Sequence, residues 1–352
     1  MVARSRGQRR RTLQDVAEAV GLSANTVSRA LNDMPGVSAA TRARIKAEAE
    51  RIGYVPNVHA RSLVLGSPKT IGVVVTDIAN PYFNDLVSEI EDQAFTAGYN
   101  LLLLLSDEDP ERERLAIETA LRAGVDGVIG VPVQGRANPW TALTRAGIPL
   151  VLTTREIPEL GVDFFSNDNE AGGRMTTNAV LERGARDPLL IEEDLQISTV
   201  EHRINGFRQA LEEHGIPFDS RRNELIPSRR NARSAMHWRA EDGYRVVRDL
   251  LDGGRMPDAF VVGNDYLALG LYSALRERGI RIPEDVLVMG WGDYAFARFL
   301  DPPLSTLRLP SIEVARRATA RLFALLDNSV AGDEPVTEFI QPELVLRAST
   351  NR

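Results

Sequence analysis

The sequence predicts two kinds of structure in one chain: a small all-α head of the helix-turn-helix type, then an α/β core of two doubly wound parallel-sheet subdomains. Three observations support this prediction. Helical segments with capping residues follow one another within residues 12–53. Beyond residue 67, short apolar runs alternate with helical segments. The charge is uneven, because residues 1–66 hold eleven Lys and Arg against five Asp and Glu, a net +6, whereas residues 67–352 carry −13.

The head is predicted to contain three short helices. Thr12 precedes apolar residues at helical spacing, and Gly21 then interrupts the chain. Ser23 is placed to cap a second helix and Ser38 a third, which ends at Gly53. Two short helices joined by a tight turn are typical of a helix-turn-helix.

The core is predicted from the alternation of apolar runs with helical segments. An apolar run followed by a helical segment, repeated along the chain, indicates parallel sheets that helices cover on both faces. There are too many such repeats for one compact sheet, so we expect two similar subdomains with a cleft at the carboxyl ends of their strands. The predicted strands are Ile71 to Val75, Leu101 to Leu105, Gly127 to Val131, Leu150 to Leu152, Leu189 to Ile191, Ala259 to Val262 and Val286 to Met289. Examples of the predicted helical segments are Tyr82 to Ala97, Glu111 to Ala123, Glu170 to Arg183, Tyr266 to Arg278 and Ser311 to Leu326.

The composition excludes several classes of protein. The 352 residues include no cysteine, which rules out disulfides, thiolate metal sites and cysteine nucleophiles. The longest apolar run, Leu101 to Leu105, is far short of the roughly 20 residues that a membrane-spanning helix needs. The four histidines are too scattered for a local ligand cluster, so we expect no metal site and no cofactor. The arginine-rich start, Met1 to Gln14, lacks the apolar run of a secretory signal, which favours a cytoplasmic protein.

The charge asymmetry points to a partner. A basic segment on an acidic protein favours a nucleic acid at that end of the chain. In the second helix, Ala24, Asn25, Ser28 and Arg29 lie opposite the apolar face. In a major groove, Asn pairs with adenine, Arg with guanine, and Ala contacts the thymine methyl group. Two alternatives remain open at this point: the basic start is only a solvated tail, and the polar face is that of any surface helix.

Longer motifs connect the head with a known family. In the head they are Thr12-Leu13-Gln14-Asp15-Val16-Ala17, Thr26-Val27-Ser28-Arg29-Ala30-Leu31-Asn32, Val37-Ser38, Gly53-Tyr54 and Pro56-Asn57. In the core they are Ile71-Gly72-Val73-Val74-Val75, Asn80-Pro81-Tyr82-Phe83, Asp168-Asn169-Glu170-Ala171-Gly172-Gly173, Arg203-Ile204-Asn205-Gly206-Phe207, Asn264-Asp265 and Pro302-Pro303-Leu304-Ser305-Thr306. Essentially the whole chain after Arg11 resembles the lactose-repressor (LacI/GalR) family of bacterial transcriptional regulators.

The resemblance implies a function and an organisation. The core would be similar to a periplasmic sugar-binding protein, and a homodimer would place two heads on one pseudo-palindromic operator. We expect a repressor of a catabolic operon that a sugar or sugar-derived effector releases. The implied domains are a head with a basic arm (1–57), a hinge helix (58–66) and an effector-binding and dimerisation core (67–352). Within the core, the N-subdomain would comprise about 70–165 and 306–332, and the C-subdomain about 166–305 and 333–350.

The resemblance also implies which residues contact DNA. Leu63, beside Ala60, falls where the family's hinge helix inserts a leucine into the minor groove, and an apolar wedge of that kind can bend a duplex. The alternative is that Leu63 packs on the core. The full set of expected DNA contacts is Thr12, Ser23, Ala24, Asn25, Thr26, Ser28, Arg29, Asn32, Ser38, Tyr54, Asn57, Ala60 and Leu63.

Effector contacts are implied in the cleft. The counterpart of Arg203 grips ligand hydroxyls or carboxylates with its planar fork, although a surface salt bridge is the alternative. Asn264 and Asp265 follow a strand, where Asp265 could instead only cap the next helix. Trp238 falls where some relatives stack an aromatic ring on a sugar, or else lies on the surface. The other expected contacts are Tyr82, Phe83, Thr154, Arg155, Trp291 and Asp293, of which Tyr82 and Phe83 could be core residues.

Two departures from the family pattern concern ligand charge. Gly290-Trp291-Gly292-Asp293 places its acid one position late, and Thr153-Thr154-Arg155 lacks the Asp that relatives often have before Arg. With two acceptors gone, Arg155 and Arg203 would be less neutralised, which favours a carboxylate or phosphate effector unless Glu193 or Asp194 compensates.

Two competing classes are disfavoured. The carboxylates Glu192-Glu193-Asp194 and the pair Asp265 and Asp293 could support acid–base chemistry, but no nucleophile elbow, phosphate loop or zinc motif frames them, so we expect no enzyme. A secreted binding protein would explain the core but not the head. Since no leucine heptad helix follows the last predicted strand, Glu343 to Leu346, we expect a dimer rather than a tetramer.

Overall fold

The computed structural model describes residues 11–54, 68–134, 138–225, 236–330, 332 and 334–352. The chain divides into two compact units, Met1–Lys69 and Thr70–Arg352. They correspond to the expected head and core, and each is described by itself.

The head consists of helices α1 (Leu13–Val20), α2 (Ala24–Leu31) and α3 (Ala39–Arg51). The side chains of Thr12, Ser23 and Ser38 each accept a hydrogen bond from the backbone N–H three residues later, which satisfies a donor that a helix start leaves unpaired. The helices pack around a small apolar core of Val16, Ala17, Val27, Ala30, Ile45 and Ala49. The three helices and their caps confirm the prediction.

The first sheet of the core is parallel and has six strands, in the order β11-β5-β4-β3-β1-β2. Its strands are β1 (Thr70–Val75), β2 (Asn100–Leu105), β3 (Gly127–Gly130), β4 (Leu150–Thr153), β5 (Asp163–Asn167) and β11 (Thr337–Ile340). Its helices are α4 (Pro81–Thr96), α5 (Pro110–Ala123), α6 (Thr141–Arg145) and α12 (Ser311–Leu326). Strands β1, β3 and β4 are buried nearly throughout, as expected of a parallel sheet covered on both faces.

The second sheet is parallel with four strands, in the order β7-β6-β8-β9. Its strands are β6 (Pro188–Ile191), β7 (Glu224–Leu225), β8 (Ala259–Val262) and β9 (Leu287–Met289). Its helices are α7 (Asn169–Leu181), α8 (Ser198–Glu213), α9 (Ser220–Asn223), α10 (Met236–Asp252) and α11 (Asp265–Glu277). Strands β10 (Thr306–Arg308) and β12 (Glu343–Val345) form a separate antiparallel pair where the chain passes between the subdomains.

The expected subdomain boundaries need two corrections. The expected C-subdomain includes residues 333–350, but β11 pairs with β5 in the first sheet. Phe339 packs edge-on against Phe164 at 5.9 Å, and the Asp163 carboxylate accepts the Val336 N–H at 2.7 Å, so this edge holds the returning chain. Strand β5 also carries the first sheet to Asn167, beyond the expected boundary at 165.

Glycine pairs join the helices of the C-subdomain at close range. A Cβ on Gly173 or Gly206 would come closer than 3.0 Å to backbone of the opposite helix, at the crossing of α7 with α8. Gly243 and Gly270 have the same relation at the crossing of α10 with α11. Backbone therefore packs on backbone at both crossings, which leaves no room for a side chain.

Candidate DNA-reading surface and effector cleft

The second helix of the head presents the expected polar face. Val27 and Ala30 are buried, Asn25 is exposed, and Ala24, Thr26 and Ser28 are half-buried. No hydrogen bond to another described residue occupies the Asn25 amide, so this side chain is available to a base edge.

Arg29 is partly engaged within the head. Its Nε and Nη2 both donate to the carbonyl oxygen of Pro35, at 3.1 and 2.5 Å. These bonds tie the recognition helix to the turn that follows it. They use two of the five guanidinium N–H donors and leave Nη1 without a partner among the described residues.

The remaining expected DNA contacts differ in what their side chains do. The hydroxyls of Thr12, Ser23 and Ser38 act as N-caps, and Thr26 bonds to Ser23 at 2.8 Å. The Asn32 amide donates to the Ser28 carbonyl at 2.9 Å, and Tyr54 packs against the head core. Asn57, Ala60, Leu63 and the arm up to Arg10 lie outside the described residues.

A cleft separates the two subdomains of the core, and seven expected residues line it. The N-subdomain contributes Tyr82, Phe83, Thr154 and Arg155, and the C-subdomain contributes Arg203, Asn264 and Trp291. Tyr82 and Phe83 lie at the start of α4 after β1, Arg155 follows β4, and Asn264 follows β8. The carboxyl ends of the parallel strands therefore meet at this cleft, as the alternation predicted. Trp238 is in α10, but its side chain lies outside the described part of the structure.

Each arginine that lines the cleft has a carboxylate partner in its own subdomain. Arg155 makes a bidentate pair with Glu108 at 2.6 and 2.8 Å and also donates to the Pro132 carbonyl. These two side chains are 4% and 8% exposed. Arg239 of α10 pairs with Glu193 at 2.8 Å.

Arg203 belongs to α8 and lies at the floor of the cleft. Its Nη1 donates to the Gly263 carbonyl at 2.6 Å, its Nε is 3.4 Å from the Glu192 carboxylate, and its guanidinium lies 5.1 Å from the Trp291 ring centroid. Burial raises the pKa of Glu192 to about 7, against the attraction of Arg203. Glu192 Oε1 accepts no hydrogen bond from any described residue.

The expectation of poorly neutralised arginines was therefore wrong for Arg155, whereas the raised pKa of Glu192 leaves it only partly charged beside Arg203 near pH 7. Glu108 and Glu192 supply the two missing acids from positions just after β2 and β6, and Glu193 also turns inward, onto Arg239. Asp194 stays exposed. A parallel sheet directs the residues after its strands into one cleft, so acids distant in sequence replaced the two that the family motifs lack.

Asp265 and Asp293 were expected in the cleft, and neither lines it. The Asp265 carboxylate is fully buried beneath the segment after β9, and Asn264, not Asp265, caps α11. Asp293 pairs with Arg308 at 2.7 Å and with Arg347 at 2.6 Å, because its positive φ of 51° turns it toward β10 and the C-terminal segment.

Direct hydrogen bonds join the two subdomains at the cleft and beside it. The Tyr294 hydroxyl of the C-subdomain donates to Asn80 Oδ1 of the N-subdomain at 3.0 Å. On the other side, the Gln134 amide donates to the Ser198 hydroxyl at 3.1 Å and accepts the Ser198 N–H at 2.8 Å. Polar groups of the two subdomains are thus already in contact in this structure.

Comparisons with known proteins agree with this geometry. Residues 12–57 match the family described as bacterial regulatory proteins, lacI family, and residues 177–350 match a periplasmic binding protein-like domain. The HTH-type transcriptional repressor PurR of Haemophilus influenzae is 30% identical over 343 residues, which cover 96% of this chain and 98% of the relative.

The chain belongs to the LacI family.

Solved structures of LacI-family proteins share the fold. The crystal structure of the lac repressor dimer bound to operator and the anti-inducer ONPF has a TM-score of 0.83 and 25% identity, and covers 97% of this chain and 99% of its own. The complex of the transcriptional regulator CelR with cellobiose has a TM-score of 0.71 and 27% identity, and covers 97% and 100%. The resemblance and the fold class are therefore confirmed: this LacI-family chain is a helix-turn-helix transcriptional regulator, a class of protein that is not enzymatic.

Sequence reasoning did not name several cleft residues of this LacI-family regulator as effector contacts, among them Asn80, Glu108, Arg239 and Tyr294. Glu108 carried a usable signal, because polar residues that follow a buried parallel strand point into the cleft. Arg239 belongs to a helix that was not predicted, and Tyr294 follows a turn.

Among the described residues, none of the helices combines the length and apolar content that crossing a bilayer requires.

Proposed function

We propose that this LacI-family regulator represses a catabolic operon as a cytoplasmic homodimer on a pseudo-palindromic operator. A neutral, hydroxyl-rich effector of the sugar class enters its cleft and releases the operator. The observation that carries the effector class is the pairing of Arg155, Arg203 and Arg239 with carboxylates of their own subdomains.

Such pairs suit hydroxyl groups better than a second anion. A carboxylate or phosphate would have to compete with Glu108 or Glu193 for the arginine, whereas a hydroxyl can accept from the arginine and donate to its partner. Trp291, Tyr82 and Phe83 add the aromatic surface on which the C–H face of a sugar packs. The cellobiose complex of CelR supports the same class of effector.

Calorimetric titration of the full-length protein with matched pairs tests the effector class. Each pair consists of a sugar and its uronic acid or sugar phosphate, drawn from a panel that begins with glucose, ribose and cellobiose. Neutral members should bind and charged partners should not. Preference for the charged member would overturn the proposal.

Operator reading is proposed for Asn25 and the free Nη1 of Arg29. The helix starts capped by Thr12, Ser23 and Ser38 present N–H groups that suit phosphates. Fluorescence anisotropy on DNA from upstream of the gene and on scrambled DNA separates the roles. Arg29→Ala should flatten the preference between the two, whereas deleting residues 1–10 should weaken both alike and reduce the salt dependence. Equal loss of preference in both variants would contradict the assignment.

A leucine-rich sheet edge supports the homodimer. Strand β2 forms one edge of the six-stranded sheet, and its five consecutive leucines are only partly buried, with Leu105 41% exposed. An open apolar edge invites another chain. The dimeric lac repressor makes a second copy of this chain the favoured occupant, and sedimentation should give the mass of a dimer.

The role of Leu63 rests on the family resemblance alone. Leu63→Ala should weaken operator binding and leave effector affinity in the absence of DNA nearly unchanged. If effector affinity fell as far as operator affinity, Leu63 would belong to the core instead.

A further inference from the structure

One segment of the C-subdomain, residues Gly290 to Tyr294, forms a wall of the cleft, and we call it the wall loop. It follows β9 and places Trp291 beside Arg203 and the Tyr294 hydroxyl against Asn80. Both aromatic side chains are largely buried, at 5% and 8% exposed. The position of the wall loop therefore decides where the two rings stand in the cleft.

Asp265 holds the wall loop from beneath. One carboxylate oxygen accepts the Trp291 N–H at 2.7 Å, and the other accepts the Tyr294 N–H at 3.0 Å. The Asp265 N–H in turn donates to the Trp291 carbonyl at 2.9 Å. The side chain is 0% exposed and does not line the cleft, so the effector does not reach it.

The same carboxylate reaches a segment that passes between the subdomains. The Thr306 hydroxyl of β10 donates to the oxygen that binds Trp291, at 2.8 Å, and accepts the Asp293 N–H at 3.3 Å. A Cβ on Gly290 would overlap this oxygen, so the loop is pressed against the carboxylate. Because each contact is direct and buried, any shift of the wall loop changes the distance between the loop and Thr306.

We infer that Asp265 is a positioning residue that fixes the wall loop to β10, so that Trp291 and Tyr294 take up their places in the cleft according to the position of Thr306. This inference rests on the proposed function only in treating the cleft as the effector site. Asp265 thus acts on the effector through the wall loop and not by contact.

The test follows Trp291 in the full-length, effector-free protein labelled with 5-fluorotryptophan. The chain has three tryptophans, so fluorine NMR gives three resonances that single Trp→Phe variants assign. Thr306→Val removes the hydroxyl but keeps the shape of the side chain, whereas Thr306→Ser keeps the hydroxyl. Thr319→Val is the matched control, because Thr319 is equally buried and its hydroxyl bonds only to Ala315 of its own helix.

Thr306→Val should shift or broaden the Trp291 resonance and leave that of Trp140 in the N-subdomain unchanged. Thr306→Ser should restore the original spectrum, and Thr319→Val should move neither resonance. Asp265→Asn should reproduce the Thr306→Val shift, and if that variant does not fold, the Thr306 series decides alone. An unmoved Trp291 in Thr306→Val, or an equal shift in Thr319→Val, would overturn the inference. No effector enters this test, so failure of the sugar titrations leaves its result intact.

Discussion

Glu108→Gln removes the charge that balances a buried arginine without changing the size of the side chain. Arg155 would keep its positive charge at 4% exposure, stabilised by a hydrogen bond to the Pro132 carbonyl and by the attraction of Glu113, but no longer by a bidentate partner. Breaking a buried ion pair from one side costs about 3–5 kcal/mol in other proteins. We expect a loss of that order in the free energy of unfolding, measured by urea titration of the full-length protein and circular dichroism.

Two matched variants serve as controls for this prediction. Glu111→Gln breaks a pair with Arg114 whose side chains are 65% and 45% exposed, so solvent screens the two charges and the loss of stability should be far smaller than in Glu108→Gln. Glu108→Gln combined with Arg155→Met removes both charges and should recover most of the loss, because an apolar replacement of a whole buried pair is often neutral. The reasoning would fail if Glu108→Gln cost no more than Glu111→Gln, or if the double variant were no more stable than Glu108→Gln.

Three further outcomes are expected. Gly270→Ala forces a methyl group onto Ala240 of α10, so it should cost about 3 kcal/mol or more in a thermal melt, while Ser273→Ala on the same helix should have little effect. The pKa of Glu192 is raised by burial to about 7 from 4.5, so the stability that its proton confers is full below about pH 4.5 and lost as pH rises through about 7. Glu192→Gln should flatten the pH dependence of unfolding over that window, and an unchanged profile would refute the assignment. Asn25→Ala should reduce discrimination between operator and scrambled DNA without lowering the melting temperature of the head.

Local patterns were enough to predict the head and most of the core. The caps Thr12, Ser23 and Ser38 act within three residues of their partners, so their signal is complete in the sequence. The buried parallel strands were equally visible as apolar runs. By contrast, α8 and α10 are not among the helical segments that the sequence pattern singles out, and α8 carries Arg203. Residues 228–240, where α10 begins, are irregular in sequence and give no helix-start signal.

The charge state of the cleft depended on contacts that no local pattern contains. Arg155 and Glu108 are 47 residues apart, and Tyr294 meets Asn80 over 214 residues. Family motifs indicated where acids were absent but not which residues replaced them. Asp293 was placed wrongly for a related reason, since its direction is set by a positive φ and by Arg308 and Arg347 from other segments.

In the C-subdomain, the backbone contacts at the glycine pairs hold the helices together, and the side chains that face the cleft take no part in these contacts. Gly173 fixes the backbone of α8 at Arg203 itself, and the crossing uses no part of the arginine side chain. The residue at position 203 can therefore be exchanged for another ligand-binding group without a clash at the helix crossing, if its buried partner Glu192 is exchanged with it. For protein engineering, substitutions on α8 can therefore change effector selectivity, provided that Gly173 and Gly206 are retained.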